Sequence, residues 1–197
     1  GAGTCPMTGT APTTPGANGP GTAGMGQGYG RGGGMNNGMG MGGGMRGTGA
    51  GLAPMGSLSA TQKTTLASMA EEEKLAHDVY VALAAKFPAD YQFARIANAE
   101  TMHQAALRTL LTRYGLTDPT AGLAAGEFSI ASFQKLYADL MAQATTAENA
   151  LGVGIAVEKL DIADLTSALD GLSAPDVTQV YTNLRNASQH HLAAFGG

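Results

Sequence analysis

Residues 93–114, FARIANAETMHQAALRTLLTRY, decide how this chain is to be read. Phe93, Ile96, Glu100, His103, Leu107, Leu110 and Tyr114 follow one another at steps of three and four. That spacing lays them along one stripe of a helix, the stripe a helix buries against its partners. Glu100 and His103 interrupt it. A carboxylate on a buried stripe must be paired, protonated or bound to a metal.

Working outward, the flanking sequence carries the same pattern. Upstream, Ser59 to Gln62 (SATQ) reads as a capping box that opens a first helix. Its stripe runs Leu66, Met69, Glu73, Ala76, Tyr80, Leu83 and Phe87, and Pro88 stops it. Asp90 is placed to cap the helix that holds Glu100, and Gly115 to end it. Residues 115–128 read as a loop and 129–144 as a shorter helix. Thr145 to Glu148 (TTAE) reads as a second capping box, opening a stripe of Leu151, Ile155, Glu158, Ile162, Leu165 and Leu169. Ser173 to Asp176 (SAPD) opens the last helix, with Pro175 in its first turn. That stripe runs Val177, Tyr181, Leu184, Ser188, His191 and Phe195. Four long helices and one short one, joined by short, long and short connections, give an all-α fold: a four-helix bundle with a crossover helix.

Each long helix carries polar groups near its middle: Glu73; Glu100 with His103; Glu158 with Asp161 one turn on; and Ser188 with His191. Lys74, Lys86, Arg95, Arg108, Arg113 and Lys159 fall off these stripes. The compensating charge is therefore expected from a bound cation. Carboxylate and imidazole together suit Fe, Mn or Zn better than Mg or Ca. Glu71 and Glu72 read as a solvated helix face, with Glu72 close enough to the apolar side to rival Glu73. His77 and His190 read as surface residues, and Tyr80 and Tyr181 as core.

Composition divides the chain near residue 57. Residues 1–57 hold 22 of the 30 glycines and 7 of the 10 methionines, with two arginines and no acidic residue. Glycine at this density disfavours independent folding. Residues 58–197 hold 9 basic and 15 acidic side chains, a net charge of −6. An acidic domain of this kind argues against nucleic-acid binding. No run of apolar residues is long enough to span a membrane. The start GAGTCPMTG reads as a mature end left by signal-peptide removal, although a cloning cut would look the same; on the first reading the protein is expected outside the cell or in its envelope. Cys5 is the only cysteine, so any disulfide it forms joins two chains. Met35, Met39, Met41 and Met45 offer soft thioether ligands for Cu(I). Glycine also allows the arm to lie close against a neighbouring subunit, so self-association through the arm is a second expectation.

The segments EEEKLAHDVY, ETMH, AENALGVGIAVEKLDIADL and NASQHHLAAF together resemble the ferritin-like superfamily, and within it the rubrerythrin-type di-metal carboxylate bundles. The chain is similar to an uncharacterised, often exported ferritin-like domain family of bacteria and archaea. The resemblance covers roughly residues 58–195 and leaves the arm aside. It implies two iron (or Mn or Zn) ions held by Glu73, Glu100, His103, Glu158, Asp161 and His191. In that family the first-helix ligand precedes a tyrosine by seven residues, which selects Glu73 through Tyr80. Ser188 stands where the pattern has a carboxylate, and Asp161 where it has a glutamate. There is no Cys-x-x-Cys pair, hence no rubredoxin module. The expected function is an exported ferritin-like protein whose di-metal site oxidises Fe(II) or handles dioxygen or peroxide. The alternative is a structural subunit of an extracellular filament or surface assembly, with the Gly-rich arm docked on its neighbours.

Overall fold

The computed structural model describes residues 51–197. Expectations that rest on Cys5 and on Met35, Met39, Met41 and Met45 fall outside these residues. Among the described residues there are five α-helices and no strand: α1 Ala60–Lys86, α2 Tyr91–Arg113, α3 Ala131–Gln143, α4 Ala147–Leu169 and α5 Pro175–Ala194. None is long and apolar enough to cross a membrane.

The start of α1 is the expected one. Ser59 Oγ accepts from the Gln62 amide, and the Gln62 side chain accepts from the Ser59 amide. Gly115 follows α2 with φ +63°, where a Cβ would be strained. Other helix starts differ from the sequence reading. Asp90 occupies the cap position of α2, yet its side chain makes no capping bond. The cap of α4 is Thr146, whose hydroxyl accepts from Asn149, and not Thr145. Ala174 precedes α5, and Pro175 is its first residue. Asp176 is buried instead and accepts from the Tyr114 hydroxyl at 2.7 Å. Residues on the arm side of position 57 also join the helices. Ala53 N–H donates to Gln179 Oε1 at 2.7 Å, and Gly56 N–H to Tyr114 Oη at 3.2 Å.

The interior consists of two apolar clusters. One gathers Tyr80 and Leu83 of α1, Phe93 and Ile96 of α2, Val153 of α4 and Phe195 just beyond α5. The other gathers Leu66 and Met69 of α1, Leu107 and Leu110 of α2, Leu165 of α4 and Leu184 of α5. Following residue numbers from one cluster to the other gives the helix directions. α1 and α5 run one way, while α2 and α4 both run the other way. The long connection 114–146, which includes α3, returns the chain between α2 and α4. The result is a helical bundle in which α1 packs on α2, α3 and α4, and α5 on α2 and α4.

Two expectations about faces need correction. Glu71 and Glu72 are not a solvated face; both are buried. The connection and α3 cover the side of α1 that the local pattern leaves to water. Glu71 accepts from the backbone N–H groups of Ser129 and Ile130, each at 3.0 Å, and from the Ser129 hydroxyl. Nearby, Lys74 donates to Asp78 and to the Ala124 carbonyl. On α4 the buried face is rotated from the expected stripe. Ala150, Val153, Gly154, Val157, Asp161 and Leu165 face inward, while Leu151, Ile155, Ile162 and Leu169 are half-buried. The reason is spatial: a Cβ on Gly154 would lie 2.9 Å from the Phe195 ring, so only glycine admits that ring.

Glu71→Ala would strand two backbone donors at the start of α3. A loss of about 2–3 kcal/mol is expected, since each buried group left without its partner costs about 1–3 kcal/mol. Urea denaturation followed by circular dichroism checks it. Unchanged stability would mean that Glu71 does not fasten the connection.

Candidate metal centre

The middle of each long helix brings its polar residues to one layer between the two apolar clusters. Glu73 comes from α1, Glu100 and His103 from α2, Glu158 and Asp161 from α4, and Ser188 and His191 from α5. All are buried except His191, whose side chain is 13% exposed.

Two groups of ligand atoms form within the layer: Glu73, Glu100 and His103, and Glu100, Glu158 and His191. Glu100 belongs to both. Its Oε2 lies 2.6 Å from His103 Nδ1, and its Oε1 lies 3.0 Å from His191 Nδ1. Glu73 Oε2 approaches His103 Nδ1 at 3.3 Å, and Glu158 Oε1 approaches His191 Nδ1 at 3.5 Å. The two imidazole rings stack with centroids 5.6 Å apart. The arrangement is that of two adjacent positions joined by one carboxylate.

These atoms converge without satisfying one another. His191 Nδ1 and Glu73 Oε1 are buried without a hydrogen-bond partner. The 3.0 Å approach of His191 to Glu100 lacks hydrogen-bond geometry. Buried polar atoms left in this way are costly. A shared cation is the economical partner, and nitrogen with carboxylate oxygen is a donor set for Fe, Mn or Zn. The residues thus fit a metal centre, and these buried Glu and His groups could hold a metal ion.

Electrostatics show how the metal-free layer balances its charge. Burial pushes the Glu73 carboxyl well above the usual range, and the Asp161 charge adds to this. Burial also opposes ionisation of Glu100, but the His103 and His191 imidazoles beside it overcome this and hold Glu100 well below the usual range. Burial would lower His103, yet Glu100 and Glu73 push it up to about 11. His191 rises to about 9 by the same contest, with Glu100 and Glu158 as its partners. Without a metal, the imidazoles stand in as the cations of the layer. Of the six cationic side chains named in the sequence reading, Lys74, Lys86, Arg108 and Arg113 bond elsewhere: to Asp78, the Ala144 carbonyl, Asp118 and Asp176.

The remaining polar residues hold the layer in place. Tyr80 donates to Glu158 Oε1 at 2.6 Å, fixing the carboxylate of α4 from α1. Ser188 donates to Asp161 Oδ2, while Asp161 Oδ1 has no partner. Five of the six expected ligands therefore meet in the two groups. Asp161 lies beside them and in neither. Periodicity left Glu72 and Glu73 open; Glu73 is the one in the group, and Glu72 opens onto a separate cavity. The Tyr80 bond had no sequence signal beyond the tyrosine's place on the stripe.

Comparison with known proteins finds similarity by sequence to an archaeal protein. The chain is 38% identical over 143 residues to the uncharacterized protein MJ0754 of Methanocaldococcus jannaschii, covering 72% of this chain and 77% of that protein. The crystal structure of that hypothetical protein superposes with a TM-score of 0.70, covering 73% of this chain and 82% of the other. Residues 62–196 match the family described as an uncharacterized protein domain, DUF2202. That match takes in all four helices that furnish the polar layer, and by it this chain belongs to the DUF2202 family.

Proposed function

We propose that the bundle is a ferritin-like four-helix bundle with α3 as its crossover helix, and that it holds a carboxylate-bridged di-metal centre. Iron is the favoured metal, with Mn or Zn as substitutes. The observation that carries this reading is Glu100, whose two oxygens face two separate histidine–carboxylate groups. The helix directions support it, since ligands from all four helices of a one-crossover bundle are how such centres are built.

His103 and Glu73 would hold one ion, His191 and Glu158 the other, with Glu100 between them. A bound pair of redox-active ions supplies one-electron steps toward dioxygen, peroxide or further Fe(II). The chain's own part is positional. Tyr80 keeps Glu158 Oε1 aimed into the layer. Ser188 occupies one oxygen of Asp161 and leaves Oδ1 free to take a proton close to the centre. In the metal-free layer, burial and the neighbouring carboxylates bring the Asp161 carboxyl up to about 7.

The test is anaerobic loading of the full chain with Fe(II), removal of unbound metal, elemental mass spectrometry, and then exposure to air. Retained iron, followed by loss of chelatable Fe(II) on exposure, is the expected result. Protein that retains no iron, manganese or zinc would sink the metal-centre reading. Retained iron that stays ferrous in air would remove the oxidase reading alone.

A further inference from the structure

A cavity of about 540 Å³ opens between the beginning of α1, the end of α4 and the beginning of α5. Glu72 and Tyr181 lie in its lining and are almost wholly buried, at 3% and 2% exposure. Glu72 Oε1 and the Tyr181 hydroxyl have no hydrogen-bond partner. Asp164 lines the same cavity from an exposed position on α4, and Thr65 and Ser68 add hydroxyls from α1. No Lys, Arg or His is among its lining residues.

We infer that this cavity is a docking vestibule for a divalent cation, held by Glu72 and Asp164 on its way to the metal centre. The inference rests on the centre proposed above. Its donors are oxygens, acidic and unbalanced by any cationic side chain in the lining, which suits an oxygen-seeking divalent cation such as Mn²⁺. Chain geometry links it to the centre at two places. Glu72 adjoins Glu73 on α1, and Asp164 stands one helical turn beyond Asp161 on α4. On this reading a cation at the mouth meets Asp164 and Glu72 before the carboxylates of the layer, none of which lines the cavity itself.

The experiment follows Mn²⁺ uptake by metal-free full chain, reading the loss of the free-ion electron paramagnetic resonance signal with time. Four proteins are compared: wild type, Asp164→Asn, Glu72→Gln/Asp164→Asn, and Glu100→Ala/His103→Ala. The amides keep side-chain shape, and Asp164 is exposed, so its single variant reports even if the double variant folds poorly. Removing the vestibule charges should slow filling about tenfold, at the low end of the rate gain that charged clefts give. The final amount retained after desalting should be unchanged. Filling at the wild-type rate overturns the inference. A lower final amount also overturns it, because Glu72 and Asp164 would then belong to the centre itself. If wild type retains no Mn²⁺ after desalting, the centre fails instead. The vestibule is then read from the weak, reversible Mn²⁺ site expected to persist in Glu100→Ala/His103→Ala; absence of that site overturns it.

Discussion

Glu100→Ala protein should retain neither metal ion, whereas Glu158→Ala should retain one. The reason is the double membership of Glu100: Oε2 serves the group with His103 and Glu73, and Oε1 the group with His191 and Glu158. Glu158 serves only the second. Losing an outer hydrogen-bond partner of a metal ligand already costs about 10- to 100-fold in affinity, so losing the shared ligand should empty both positions after desalting. Elemental mass spectrometry of desalted protein checks it. Equal losses in the two variants would contradict the shared-carboxylate geometry. The pH dependence has a definite sign. In the metal-free protein His103 is raised from 6.5 to about 11. Its contribution to stability is fully present below the unfolded value and is lost as pH rises through about 11. Metal binding runs the other way, because each imidazole must give up a proton before it can act as a ligand. Affinity should therefore rise with pH while the metal-free protein loses stability, and the two curves separate the metal from the imidazolium as partner of Glu100.

Phe195→Ala should lower the unfolding free energy by about 3–5 kcal/mol, the range for removing a buried phenylalanine ring. The residue follows the last turn of α5, where fraying would ordinarily make truncation cheap. Here the ring is buried, stacks on Tyr80 with centroids 5.6 Å apart, and meets Phe93 at the same separation. Gly154 has no Cβ to exclude it. The ring thus ties α5 to α1, α2 and α4 at once. It also backs Tyr80, whose hydroxyl holds Glu158, so the variant should bind metal less tightly at the His191 position than at the His103 position. Guanidinium unfolding gives the first quantity, and metal retention the second. A cost below about 1 kcal/mol would mean that the end of α5 frays in solution.

The sequence made some of this legible for definite physical reasons. The three–four spacing around Glu100 and His103 fixes a helix face without help from tertiary structure, and the five helices lie where punctuation and periodicity put them, with some ends shifted by a residue or two. What escaped depends on neighbours. Glu71 looks solvent-facing on α1 because nothing local reports that residues 124–130 fold over it. On α4 the large aliphatic residues suggested the core stripe, but small residues face inward, where Phe195 needs room. Glu71, Glu72 and Glu73 are consecutive, and 100° of rotation per residue sends them to different surroundings: a backbone clasp, a cavity and the polar layer. Periodicity could not assign those three destinations. Asp161 was legible as a buried acid, but its bond to Ser188 depends on the approach of two helices.

The polar layer separates the two apolar clusters along the whole width of the bundle. Each long helix leads from one cluster to the other, and the buried carboxylates and imidazoles lie between them. Such a plane transmits little hydrophobic coupling, so the halves of the bundle are united chiefly by helix continuity and by whatever occupies the layer. Filled with metal, the layer makes the molecule melt as one unit. Emptied, it becomes the plane along which unfolding loses its all-or-none character, with one half able to loosen before the other.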